Sequence, residues 1–199
     1  MSALELPISR FPASFNMSKA RIPYRPASCL PKGIPPLNLF LMWAHSPSTL
    51  PHAISLGTAC FRDTSLSPYN RELVCLLTAR RLSCDYQWKQ HVPIARAAGV
   101  PGAKIEAIKA DQITGDEFSE LERALLAFLD EILKGPEVSD AVFGEARKYF
   151  SDQALVEVVT MQASSIWTKN DTSILLQIGV LLQSGEDCDG VSGGSRIFD

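Results

Sequence analysis

The sequence predicts an all-α fold, a bundle of helices, on three observations. Apolar residues recur at helical spacing over long windows, clearest in "GDEFSELERALLAFLDEILKGP". Helix start and stop signals punctuate the chain, among them Ser67-Pro68 and Gly135-Pro136. No segment alternates apolar and polar residues for long between Gly or Asn turns, as a half-buried strand would. With 199 residues, 46% of them hydrophobic, the chain is long enough for one sizeable core. The expected organisation is a Pro-rich N-terminal arm over 1–36, a helical domain over 37–183 and a flexible C-terminal tail over 184–199.

The elements follow in order. Pro7, Pro12, Pro23, Pro26, Pro31, Pro35 and Pro36 remove backbone donors, so the first 36 residues read as an extended, wrapping segment. "PPLNLFLMWAHSP" predicts a helix that starts after two prolines and stops at Pro47. "SPSTLPHAISLGTACFRD" predicts a second, capped by Ser46 or Ser48. "LSPYNRELVCLLTARRLSC" carries the strongest start: Ser67 as N-cap and Pro68 at the first helical position, where a missing N–H costs nothing. A helix begins near Asp85, whose carboxylate suits an N-cap or first turn, and Pro93 should bend it.

Phe118, Leu121, Leu125, Phe128, Leu129 and Ile132 form one apolar stripe ended by Gly135-Pro136. A short helix is expected around "SDAVFGEARKYF", then a helix after Ser151 that is apolar on most of its circumference and should be buried centrally or against another subunit. Asn170-Asp171 is expected to break or kink it. The Gly-, Ser- and Asp-rich end reads as a mobile tail.

A formal net charge of −3 offers no broad attraction to nucleic acid or to an anionic membrane. No apolar run reaches the roughly 20 residues that span a bilayer, and the start lacks a secretory pattern, so a soluble, cytoplasmic protein is expected. Five scattered cysteines, Cys29, Cys60, Cys75, Cys84 and Cys188, suit free thiols. His45, His52 and His91 are dispersed and no metal-ligand spacing stands out, so no metal site is expected. No phosphate loop or Gly-x-Ser-x-Gly elbow is present either.

The stretch that invites chemistry is "RRLSCDYQWKQH". On a helix, Cys84, Gln87, Trp88 and His91 stand at i, i+3, i+4 and i+7 and share a face. The preceding helix brings Glu72 amid Leu73, Val74, Cys75, Leu76 and Leu77, a carboxylate partly withdrawn from water. Glu72 could equally pair with Arg71, Arg80 or Arg81. Spacing alone leaves a reaction centre and a packed helix both open.

In order, these segments resemble the carboxymuconolactone decarboxylase and alkylhydroperoxidase D superfamily over most of residues 20–182. The resemblance implies an alkylhydroperoxidase D-like helical bundle, commonly a homotrimer or homohexamer, with sites close to subunit contacts. In the peroxidase branch a glutamate precedes Cys-x-x-Cys-x-x-x-His. Laid on this chain, the glutamate matches Glu72, the first cysteine Cys84 and the histidine His91, while Gln87 replaces the second cysteine.

An amide cannot close a disulfide, so a dithiol peroxidase is demoted, and Cys75, on the preceding helix, lacks motif support. The resemblance then implies the decarboxylase-like branch: a lyase or isomerase working without metal or organic cofactor on a small cyclic organic acid, lactone or enolisable ketone. Glu72, His91 and Cys84 are its expected catalytic residues. Tyr86, Gln87, Trp88, His45 and Arg80 are its expected pocket residues, although His45 also suits a plain helix-end role and Arg80 an ion pair. A thiol-dependent peroxidase using Cys84 and a non-catalytic oligomeric partner protein are the alternatives.

Overall fold

The computed structural model describes residues 23–166. The first 22 residues of the arm, the Asn170-Asp171 break and the 184–199 tail therefore lie outside the described residues. Eight helices follow a 3₁₀ turn at Ala27–Cys29: α1 Asn38–Trp43, α2 Leu50–Arg62, α3 Pro68–Arg81, α4 Asp85–Ala97, α5 Gly102–Lys109, α6 Glu120–Lys134, α7 Asp140–Ala146 and α8 Asp152–Ile166. The described residues contain no strand, and no helix among them is long and apolar enough to cross a membrane.

Local signals explain most of the boundaries. The Ser67 hydroxyl accepts from the backbone N–H of Asn70 at 3.1 Å, and Pro68 opens α3. At α6 the Ser119 hydroxyl accepts from the N–H of Glu122 while the Glu122 carboxylate accepts from that of Ser119, a capping box satisfying two otherwise orphaned donors. Thr49, not Ser46 or Ser48, occupies the N-cap of α2, and its hydroxyl donates to Ser46 instead of closing the helix. The helix α5, preceded by Pro101, is an element the apolar spacing did not announce; its eight residues are too few to display a full stripe.

The core is organised around α3. Every residue from Arg71 to Ala79 is buried, so this helix is enclosed on all sides, by α4, α5, α6 and α8. The stripe of α6 supplies Leu125, Phe128, Leu129 and Ile132 to that core, and α8 supplies Leu155, Val158, Val159 and Met161. Phe118 is buried from the loop ahead of α6, and Leu121 is only partly buried at the edge. Truncating one of the fully buried leucines should cost about 2–5 kcal/mol. Val156 faces outward, so α8 keeps an exposed side.

The α3–α4 connection is what positions the site. Only Leu82, Ser83 and Cys84 separate the two helices, and Ser83 takes a left-handed φ of 51° to reverse the chain. A reversal this tight lays α4 back along α3. At 1.5 Å per residue, Glu72 lies roughly 14 Å up α3 from its end and His91 roughly 9 Å up α4 from its start, close enough in height for the side chains to meet. The helix α4 is continuous through Pro93.

The arm residues that are described are pinned to α1. Arg25 donates its N–H to the carbonyl of Leu41, and His45 Nε2 donates to the carbonyl of Pro23 at 2.8 Å.

Candidate active site

His91 Nδ1 and Glu72 Oε2 are 2.8 Å apart. Glu72 has no exposed surface, whereas the His91 side chain keeps a fifth of its own. A carboxylate that deep is tolerable only if its charge is answered, since stranding it costs several kcal/mol. The second answer is Arg71, whose Nε donates to Glu72 Oε1 at 3.2 Å. Arg71 is itself held by the carbonyl of Phe61 and stacks on that ring, 4.2 Å from its centre. Both carboxylate oxygens are thus occupied, one by a fixed cation and one by the imidazole.

A third group joins them. Cys75 stands one turn beyond Glu72 on α3, and a ligand atom from each of Glu72, Cys75 and His91 lies within 4.8 Å of the others. Burial disfavours a charged His91, but the adjoining Cys75 thiol, which shares a hydrogen bond with the ring, and the Glu72 carboxylate hold its pKa well above 6.5. No metal-ligand spacing in the sequence announces this convergence, yet the three atoms are close enough together to hold a metal ion.

His91 and Cys75 open onto a cavity of about 220 Å³. Its wall is mainly apolar, from α1, α2, α4 and the arm, with Phe40, Trp43 and Phe61 supplying flat faces. Tyr86 and Gln87 line it as expected. The Tyr86 hydroxyl meets the backbone of Leu39, and burial raises its pKa, so it stays neutral. The Gln87 amide donates to the carbonyl of Cys75 at 3.4 Å, tying α4 to α3 beside the thiol. Arg71, which the sequence offered only as one possible partner of Glu72, Cys75, set aside there for want of motif support, and Cys60 and Gln90, given no site role, also line the cavity. A cue for two of them lay in the i, i+3 spacing of Glu72 and Cys75 and in the adjacency of Arg71 to Glu72.

Four expected residues sit elsewhere. Cys84 is not among those lining the cavity; it occupies the N-cap of α4 with φ −95° and ψ 85°, outside the helical turn, so the i, i+7 relation to His91 does not hold. Trp88 packs against the hydrophobic core. His45 is taken up by the arm, through Pro23. Arg80 donates from Nε to the carbonyl of Lys109, while Arg81 pairs with Asp130 and Asp111. Of the arginines that could meet Glu72, only Arg71 does so among the described residues.

Residues 47–131, which hold this cluster, match the carboxymuconolactone decarboxylase family. The bundle also resembles solved structures. One, from Agrobacterium tumefaciens, is a protein of unknown function provisionally described as the antioxidant defence protein AhpD, at 20% identity and TM-score 0.58, covering 73% of this chain and 97% of that one. Another is the debrominase Bmp8, a cysteine-to-alanine variant in complex with 2,3,4-tribromopyrrole, at 18% identity and TM-score 0.56, covering 71% of this chain and 80% of that one. The apo form of Bmp8 matches at 19% identity and TM-score 0.55, with the same coverage. At these identities the likeness establishes the all-α, AhpD-like fold. No curated protein matches the chain.

Proposed function

We propose that this protein is an acid–base enzyme, a lyase or isomerase that moves a proton on a small, cyclic, largely apolar substrate such as a lactone or an enolisable ketone. The observation that carries this reading is the His91–Glu72 contact at 2.8 Å, with His91 on the cavity wall and Glu72 wholly behind it. The match of residues 47–131 to the carboxymuconolactone decarboxylase family supports an enzyme of this kind.

His91 is the group that reaches a bound ring. In protonated form it delivers a proton to carbon or steadies a developing oxyanion, work worth about 10²–10⁴ in rate. Glu72 is a positioning residue: its carboxylate fixes the ring orientation and favours the imidazolium. Arg71 anchors that carboxylate in place. The apolar wall strengthens each of these interactions by excluding water.

The test does not require the natural substrate. A panel of small cyclic ketones and lactones is incubated with the protein in deuterated water, and exchange at the carbon beside the carbonyl is followed by proton NMR. At least one compound should exchange faster with the wild type than with His91→Ala. Equal exchange across the panel would remove the proposal.

A further inference from the structure

Proton transfer by His91 leaves one chemically capable group of the cavity unused. Among the described residues Cys29, Cys60, Cys75 and Cys84 form no disulfide, and two of them, Cys60 and Cys75, line the cavity. They differ in their surroundings. Cys60 has Ser164 as its hydrogen-bond partner, and burial pushes its thiol pKa up, so it remains protonated and a poor nucleophile. Cys75 Sγ lies within 4.8 Å of a His91 ring nitrogen, and that ring is held at Nδ1 by Glu72.

A thiol, an imidazole and a carboxylate in that order form an activated nucleophile: the base takes the proton, and the third group orients the base and stabilises its charge. The electrostatics permit it. Glu72 is already balanced by Arg71, so a thiolate–imidazolium pair adds no net charge to the apolar cavity.

We propose that Cys75 is a covalent nucleophile of this cavity, adding through Sγ to the β-carbon of a small cyclic α,β-unsaturated carbonyl compound. A thiolate is a soft nucleophile, and such a compound is a soft electrophile that pairs an apolar ring with an enolisable carbonyl. In the step, a His91 nitrogen accepts the S–H proton and the sulfur lone pair forms the S–C bond. The C=C pair moves toward oxygen to give an enolate, and the imidazolium returns the proton to the α-carbon. The product is a neutral thioether, with no oxidant or reductant consumed, and elimination reverses it. While attached, the former double bond is single and free to be re-formed elsewhere in the ring. The proposal rests on the proton-transfer reading of His91 and extends it by naming the electrophile class and the attacking atom.

N-Methylmaleimide, itself a cyclic α,β-unsaturated carbonyl compound, is the probe. The full-length protein is treated at pH 7 for a series of short times, and the adduct at each cysteine is quantified by peptide mass spectrometry. Cys75, only 6% exposed, should be modified about tenfold faster than the partly exposed Cys29, and faster than Cys60, because the neighbouring His91 base rather than exposure sets the rate. In His91→Asn the Cys75 rate should fall about tenfold or more while that of Cys29 holds, which also reports that the fold is kept.

Modification of Cys75 no faster than Cys29 in the wild type, or a Cys75 rate indifferent to His91→Asn, overturns the proposal. The deuterium-exchange panel separates the two readings. If exchange depends on His91 but Cys75 labelling does not, the nucleophile is refuted and the proton transfer stands. If Cys75 labelling depends on His91 and no panel member exchanges, the proton-transfer reading fails while the thiol keeps its reactivity.

Discussion

Two glutamates in this molecule are both buried and differently employed. Glu122, in the first turn of α6, is bound by Lys104 Nζ at 2.6 Å and by the N–H of Ser119. Burial opposes its ionisation, yet the Lys104 ammonium and the Ser119 donors hold its carboxyl down at about 2. These partners of Glu122 are structural ones: a helix cap and a cation on α5 that also lies over the rings of Tyr69 and Phe118. Glu72 has a comparable cation in Arg71, but its second oxygen goes to His91, a side chain that reaches a cavity. Burial and charge pairing alone therefore do not mark a functional carboxylate. What distinguishes Glu72 is a titratable partner with access to a guest molecule.

Substitutions can break that contrast or sharpen it. The largest effect is expected for His91→Ala, which should lower exchange on a responsive panel compound by about 10²–10⁴ while far-UV circular dichroism stays that of the wild type. Next, Glu72→Gln should lower the same rate about 10- to 100-fold, the loss typical of removing the group that orients a working histidine. It should also move the pH profile. Glu72 helps raise the His91 pKa, so activity that needs the imidazolium, present at low pH and lost as pH rises through that pKa, should fade at a lower pH in the variant. Glu72→Asp should restore part of the shift, which a merely structural role would not do.

Glu122→Gln is the counterpart. It should destabilise the protein by about 1–3 kcal/mol in urea denaturation, because Lys104 loses its charged partner, while the pH profile of exchange stays put. If Glu122→Gln shifted that profile as Glu72→Gln does, the contrast between the two glutamates would collapse. In the wild type, the stability due to Glu122 should be full above about pH 4.5 and be lost as pH falls toward 2, since its folded pKa is depressed. The smallest effect is expected for Ser119→Ala, about 1 kcal/mol from the lost cap, read by the same denaturation and leaving exchange unchanged.

Much of the fold was legible in the sequence. Ser67-Pro68 announced α3 because a cap and a proline act within one turn. The α6 stripe announced a core-facing helix because its period is a local property. Glu72 and His91 were legible as a candidate pair from the family resemblance and from an acid amid apolar neighbours. The thiol was not. Helix-face arithmetic put Cys84 on the same face as His91, but it assumes helical backbone, and Cys84 is the non-helical N-cap residue just before α4. Arg71 was one of three arginines able to pair with Glu72 until the packing with Phe61 and Glu72 singled it out. His45 and Trp88 looked like pocket residues until the arm and the core claimed them.

The chain alone determined where helices form and which faces they bury, because caps, prolines and apolar periods act over a few residues. The tertiary structure decided which thiol meets the imidazole. That choice depends on how α3 is rotated about its own axis against α4, and this rotation is set by the packing of α3 among α4, α5, α6 and α8 together. No short segment contains that sum, so the place of Cys75 beside His91 is fixed only once the bundle closes around it.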